Sequence, residues 1–210
     1  MKILVLSHNG QIGGATRSLQ AVIGDLQESG CEIDVLGPEG PMAEEWERAG
    51  VGVYHWKAPL CPWLLGPIYS SAVVKFHWVF LPLLVLLPVR CFRAAKLLRH
   101  LLLGGDYDRI YLNSLTLFPV AAILNAAIPK SQKRPEVIWH IRELVNPRLF
   151  APVRKWVTGM IKKISDHIVV ITENEAEAFE DHSACHVIYN TIPRSWSNEQ
   201  AVPRIMSEGA

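Results

Sequence analysis

The stretch Ile3-Leu4-Val5-Leu6-Ser7-His8-Asn9-Gly10-Gln11-Ile12-Gly13-Gly14-Ala15-Thr16 decides the fold. Ile3 to Ser7 is an apolar run without alternation, which suits a strand covered on both faces, as in a parallel sheet between helices. His8 to Ala15 is a polar, glycine-bearing turn. Thr16 to Ser29 then carries Leu19, Val22, Ile23 and Leu26 on one helical face, and Gly30 ends it.

Working outward, the rhythm repeats. Cys31 to Leu36 reads as a second strand, Pro41 to Ala49 as a proline-opened helix stopped by Gly50, and Val51 to His55 as a third strand. Further strands are expected at Asp108–Leu112, Val137–His140, His167–Ile171 and His186–Tyr189. Helices are expected at about 89–103, 117–127, 150–164 and 173–181. Strand alternating with helix implies right-handed crossovers and an α/β fold with a single Rossmann-like, doubly wound parallel sheet of about seven strands. We assign residues 1–190 to this domain and 191–210, polar and without periodicity, to a tail or interdomain linker.

Composition limits the alternatives. The chain has 210 residues, half of them hydrophobic and 20% charged, which is enough for one domain with a substantial core. A net charge of +1 gives no footprint for nucleic acid. The 4 cysteines, Cys31, Cys61, Cys91 and Cys185, are too dispersed for a zinc site or a disulfide framework. Reduced thiols in a cytoplasmic protein are the expectation. The apolar start is too short for a secretory leader, and Trp78 to Val89 falls short of the roughly 20 residues that cross a bilayer.

The turn Gly10-Gln11-Ile12-Gly13-Gly14-Ala15-Thr16 lies at the carboxyl end of the first strand, the edge where open α/β sheets bind ligands. Glycines there admit close backbone approach, and the helix start offers free N–H groups to a phosphate or sugar oxygen. A tight turn that binds nothing would use the same residues. The pattern is neither G-x-G-x-x-G nor a P-loop, and the second strand ends Val35-Leu36-Gly37-Pro38 without a ribose-binding acid, which disfavours a nicotinamide dehydrogenase. The fifth strand ends Trp139-His140-Ile141-Arg142-Glu143 at the same edge. His140 could bond a sugar hydroxyl or move a proton, Arg142 could grip a phosphate, and Glu143 could orient Arg142. A solvated Arg142–Glu143 pair beside a satisfied histidine is the plainer alternative.

Gly13-Gly14-Ala15-Thr16-Arg17-Ser18-Leu19 after a first strand resembles the N-terminal signature of family-4 glycosyltransferases (glycosyl transferases group 1), which have the two-domain GT-B fold. His140 followed by Arg142-Glu143 is similar to a recurrent pattern at the acceptor side of that family's cleft. Asp166 to Asn174 resembles its "aspartate, strand, Ser/Thr-Glu" stretch, in which Thr172 and Glu175 also form a helix-capping pattern. Val187-Ile188-Tyr189-Asn190 resembles its closing strand, although Thr191 and Pro193 stand where glycine and aspartate are usual. The resemblance implies the N-terminal, acceptor-side half of an enzyme that moves a sugar from a nucleotide-sugar donor to a hydroxyl acceptor. It implies His140 as the catalytic residue, with Gly13, Gly14, Ala15, Thr16, Arg142, Glu143, Thr172 and Asn190 at the substrates, and neither metal nor cofactor. The family's donor domain would follow Asn190, so this chain is expected to be inactive alone. A non-catalytic domain that binds acceptor, membrane or a separate donor-domain chain is the alternative.

The segment 57–105 interrupts the rhythm with Trp, Pro and Leu and then turns basic. Arg90, Arg93, Lys96 and Arg99 sweep one side of a helix whose other side is apolar, with Trp63 and Trp78 upstream. That pattern suits peripheral contact with an anionic membrane on its cytoplasmic face. A core helix with a solvated basic face would read the same way.

Overall fold

The structure, a computed structural model, describes residues 1–56, 80–128, 133–142, 151–179 and 183–189. Among the described residues, seven strands form one sheet: β1 (Lys2–Leu6), β2 (Glu32–Gly37), β3 (Gly52–His55), β4 (Arg109–Leu112), β5 (Glu136–Ile141), β6 (His167–Val170) and β7 (Cys185–Val187). All neighbours are parallel, in the order β3-β2-β1-β4-β5-β6-β7. The order reverses between β1 and β4, so the crevice beyond their carboxyl ends is the topological switch point.

Among the described residues, six α-helices flank the sheet: α1 (Gly14–Glu28), α2 (Pro41–Arg48), α3 (Phe80–Gly105), α4 (Phe118–Ala127), α5 (Ala151–Ile164) and the short α6 (Glu173–Ala176). Strand alternation sorts the core into two layers. Ile3, Val5, Val35 and Tyr111 meet Leu19 and Ile23 of α1 and Met42 and Trp46 of α2. Leu4, Leu6, Leu112 and Trp139 face the opposite way, onto Leu98 of α3, Leu124 of α4 and Val157 of α5. Each fully buried side chain of this kind stabilises the fold by about 1.5–3 kcal/mol. A sheet apolar on both faces requires both layers of helices, which is why β1 shows no polar alternation.

Several boundaries differ from the sequence reading by a residue or two, the strand expected at His186–Tyr189 is Cys185–Val187, and the helix expected at 173–181 is α6 followed by a 3₁₀ turn at Glu177–Phe179. Two further differences have a clear physical cause. Helix α1 starts at Gly14 instead of Thr16, because the Thr16 hydroxyl turns back on the preceding loop and places Thr16 in the first turn. Helix α3 is a single element of 26 residues that takes in the apolar run from Phe80 onward and carries Pro88 inside it. Pro82 falls in its first turn, where the missing N–H has no intrahelical partner to lose. No helix among the described residues is long and apolar enough to cross a membrane.

Candidate functional site

The turn after β1 is held by its own side chains. Thr16 Oγ1 accepts the Gly13 N–H at 2.9 Å and lies 2.8 Å from the Gln11 carbonyl and 3.0 Å from the Gly13 carbonyl, to which its proton is directed. Thr16 is fully buried, so its hydroxyl serves the turn and is not presented to a ligand. Gly10 is required sterically, since a Cβ there would lie 2.5 Å from the Pro38 carbonyl oxygen and 2.6 Å from that of Glu39. Gly13 and Gly14 differ: a Cβ on either would meet nothing within 4 Å, and Gly13 is in ordinary extended conformation. Nothing in the described chain demands glycine at these two positions, and the space beside them is open. They and Ala15 carry the leading N–H groups of α1, where the helix dipole favours an anion.

Across the switch point, Arg142 ties three elements together. Its Nε donates to Asn113 Oδ1 at 2.9 Å, just beyond β4, and its Nη1 donates to Ser18 Oγ at 2.7 Å, in the first part of α1. Its Nη2 lies 3.4 Å from His140 Nδ1. His140 is buried, and its Nδ1 also meets the Tyr111 hydroxyl in a hydrogen bond, with the two rings edge to face. The register explains this meeting: Tyr111 pairs with Ile138, so Asn113 and His140, two residues further along, emerge side by side on the α1 face. Trp139 points the other way, donating its Nε1–H to the Ser114 carbonyl at 2.9 Å and anchoring the end of β5 in the core.

Charge follows from burial. Burial first, then the nearby Arg142 cation, push His140 down to about 3, so the imidazole is neutral at physiological pH. Burial raises the Tyr111 hydroxyl to about 12 against the opposing pull of Arg142, and it stays protonated. His140 Nε2 and Asn113 Nδ2 are buried without a hydrogen-bond partner among the described residues.

Thr172 caps α6 as its spacing predicts. Its hydroxyl accepts the Glu175 N–H at 3.4 Å, while Glu175 Oε2 accepts the N–H groups of Ile171 and Thr172 at 2.9 and 3.1 Å. Thr172 is exposed beyond β6, and the cap leaves its own proton free for other use. Glu143 and Asn190 lie outside the described residues, as do Cys61, Trp63, Trp78 and the side chains of Arg90 and Cys91. Cys31 and Cys185 are free thiols. No group of three or more His, Cys, Asp or Glu suited to a metal occurs among the described residues. The structure thus brings together the Gly13–Gly14 turn, Arg142 and His140. Tyr111, Asn113 and Ser18 join them, three residues that sequence reasoning missed. Asn113-Ser114 directly after the fourth strand was the available signal.

The family model for glycosyltransferase family 4 matches residues 12–196. The chain belongs to this family. The matched span includes the Gly13–Gly14 turn, Asn113, His140 and Arg142. Solved structures share the fold of this glycosyltransferase family 4 domain. HepE from Anabaena, solved with UDP and glucose and also with UDP-glucose, aligns at 18% and 20% identity, both with a TM-score of 0.58. Those alignments cover 91% of this chain and 45% and 44% of HepE. A glycosyltransferase from Rickettsia africae aligns at 12% identity and TM-score 0.58 over 93% of this chain and 47% of its own. The lipopolysaccharide outer core galactosyltransferase WaaB aligns at 14% identity and TM-score 0.54 over 91% and 46%. The chain therefore spans slightly less than half the length of these relatives. Curated protein sequences gave no match.

Proposed function

We propose that this domain is the acceptor-side half of a glycosyltransferase that moves a sugar from a nucleotide-sugar to a hydroxyl group, completed by a second, donor-binding domain. One observation carries the reading. The open Gly13–Gly14 turn and the start of α1 share the switch-point crevice with Arg142, Asn113 and His140, so the donors gathered there have room for a ligand oxygen. Family membership and the complexes of HepE with UDP-glucose support a nucleotide-sugar as the donor. The coverage of relatives supports the second domain.

On this reading, Gly14 and Ala15 present backbone N–H groups to substrate oxygens beside the open Gly13, and Arg142 donates to the ligand at the crevice. Glu143, Thr172 and Asn190 complete the substrate contacts. The test is calorimetry on the 210-residue chain with UDP-, GDP- and ADP-sugars. Binding weaker than micromolar is expected from one half alone; micromolar binding would place most of the donor site here and refute the division between domains.

The same reading places the domain peripherally on an anionic cytoplasmic membrane face. On α3, Arg93, Lys96 and Arg99 are exposed together with Phe92, which is 71% exposed, while Ala94, Leu98, Leu101 and Leu102 are buried. Trp156 on α5 is 57% exposed and stacks edge to face on Phe118 at the start of α4. Exposed aromatics beside bases suit a headgroup interface. Co-sedimentation with phosphatidylglycerol vesicles is expected for the wild type and lost in Phe92→Ser/Trp156→Ser. Equal pelleting of both proteins would remove this surface from the proposal.

A further inference from the structure

Two buried polar atoms at the switch point stand out by what they lack. Asn113 is fully buried and His140 nearly so, yet Asn113 Nδ2 and His140 Nε2 have no partner among the described residues. Their neighbours fix what each atom is. A guanidinium has only donors, so the Arg142 Nε bond identifies the facing Asn113 atom as Oδ1 and leaves the amide NH2 as the unpartnered end. The same rule applies to the ring. Arg142 Nη2 can approach His140 Nδ1 favourably only if that nitrogen carries a lone pair, and the Tyr111 hydroxyl must then donate to it as well.

We propose that Tyr111 and Arg142 hold His140 as the neutral Nε2–H tautomer, so that His140 and Asn113 form a two-donor site for a substrate oxygen and offer it no base. Tyr111 is a positioning residue that acts through His140. The depressed basicity of the ring, caused by burial and then by Arg142, agrees with this role. Unpartnered buried donors are costly, and an oxygen bringing lone pairs, from a phosphate or from a sugar hydroxyl, satisfies both at once. The base that deprotonates the acceptor hydroxyl is then some other group. The identity of the substrate rests on the glycosyltransferase reading; the tautomer does not.

The test is long-range ¹⁵N NMR of the histidine rings in the 210-residue chain. His140 is expected as a neutral ring protonated on Nε2 from about pH 7 down to about pH 5, where an ordinary histidine has become charged. Tyr111→Phe is expected to populate both tautomers and to raise the titration midpoint by about one pH unit or more. A ring protonated on Nδ1, or charged by about pH 6, would overturn the proposal from the wild-type spectrum alone, even if the variant did not fold. A variant spectrum identical to wild type would remove Tyr111 from the role. Titration with inorganic phosphate and, separately, methyl glucoside assigns the oxygen: the ligand that shifts both the Asn113 side-chain amide and the His140 Nε2–H is the class bound. If neither shifts them, the two-donor site is refuted. Failure of sugar transfer in a separate enzyme assay would leave the tautomer result standing.

Discussion

Replacing His140 by glutamine should flatten the acid side of the domain's stability curve. In the folded chain, burial and the Arg142 charge hold this ring's pKa at about 3. In the unfolded chain it titrates at about 6.5. Between these values the unfolded chain binds a proton that the folded chain refuses, so stability falls as pH falls through that window. Between about pH 7 and about pH 5, a site of unfolded pKa near 6.5 that stays neutral when folded costs about 2 kcal/mol. Glu136 and Asp166, both held below the ordinary carboxylate range, also contribute acid sensitivity, and comparison with the variant cancels their share. Urea unfolding of wild type and His140→Gln at both pH values isolates the histidine. The wild type should lose about 2 kcal/mol more than the variant over this interval. Equal losses would show that His140 titrates normally in the folded chain, and the burial argument at the switch point would fall with it.

Gly10→Ala is expected to destabilise the chain by about 1–3 kcal/mol, because the added carbon meets backbone that cannot move aside, whereas Gly14→Ala should leave thermal stability unchanged or slightly raised while weakening ligand contact at the turn. Thermal melts of the two variants check the contrast, and equal melting losses would contradict the distinction between a structural and an open glycine. Thr16→Val removes the hydroxyl that binds the Gly13 N–H and the Gln11 carbonyl, and should cost about 1–2 kcal/mol in urea unfolding, largely restored in Thr16→Ser. Asp166 accepts the Val137 N–H at 2.8 Å and the Arg134 guanidinium at 2.8 and 3.0 Å. Burial opposes its ionisation, yet these donors keep its carboxyl below the ordinary range, so its contribution is present above that range and lost as pH falls through it. Asp166→Asn should therefore cost about 1–2 kcal/mol at neutral pH, and the cost should shrink as the pH falls below the ordinary carboxylate range, measured by urea unfolding.

The sheet was legible because burial on both faces writes continuous apolar runs such as Ile3–Leu6, and because glycine and proline punctuate the chain at Gly30, Pro41 and Gly50. The Thr172–Glu175 cap was legible because its partners lie three residues apart. The start of α1 was misplaced because Gly14 and Ala15 read as part of the glycine-bearing turn, whereas Gly13 caps the helix and Thr16 already lies inside its first turn. The extent of α3 was hidden by Pro82 and Pro88: proline reads as a helix breaker, yet Pro82 sits in the first turn and the helix runs on through Pro88. The polar tie at the switch point was out of reach for a different reason. Arg142 and Ser18 are 124 residues apart, and Tyr111 and His140 are 29 apart. Their meeting depends on strand order and register, which local periodicity does not encode.

That register also bears on what the site is for. A core position on the α1 face could hold an aliphatic residue in place of His140 at no hydrogen-bonding cost, as Val169 does at the paired position on β6. Keeping a histidine there, with its Nε2 lacking a partner among the described residues, forfeits about 1–3 kcal/mol of folding stability, and Asn113 adds a second such term. Arg142 could instead have been matched by a carboxylate at position 113, where an amide oxygen now accepts from it. An acid there would supply acceptors alone; an amide accepts from the arginine and adds another donor. Each choice moves the crevice the same way, towards donors and away from bases, and each costs the isolated fold something. A ligand oxygen arriving at the open turn of Gly13 and Gly14 recovers that cost on binding, which is the thermodynamic sense in which folding stability is exchanged for affinity at a functional site.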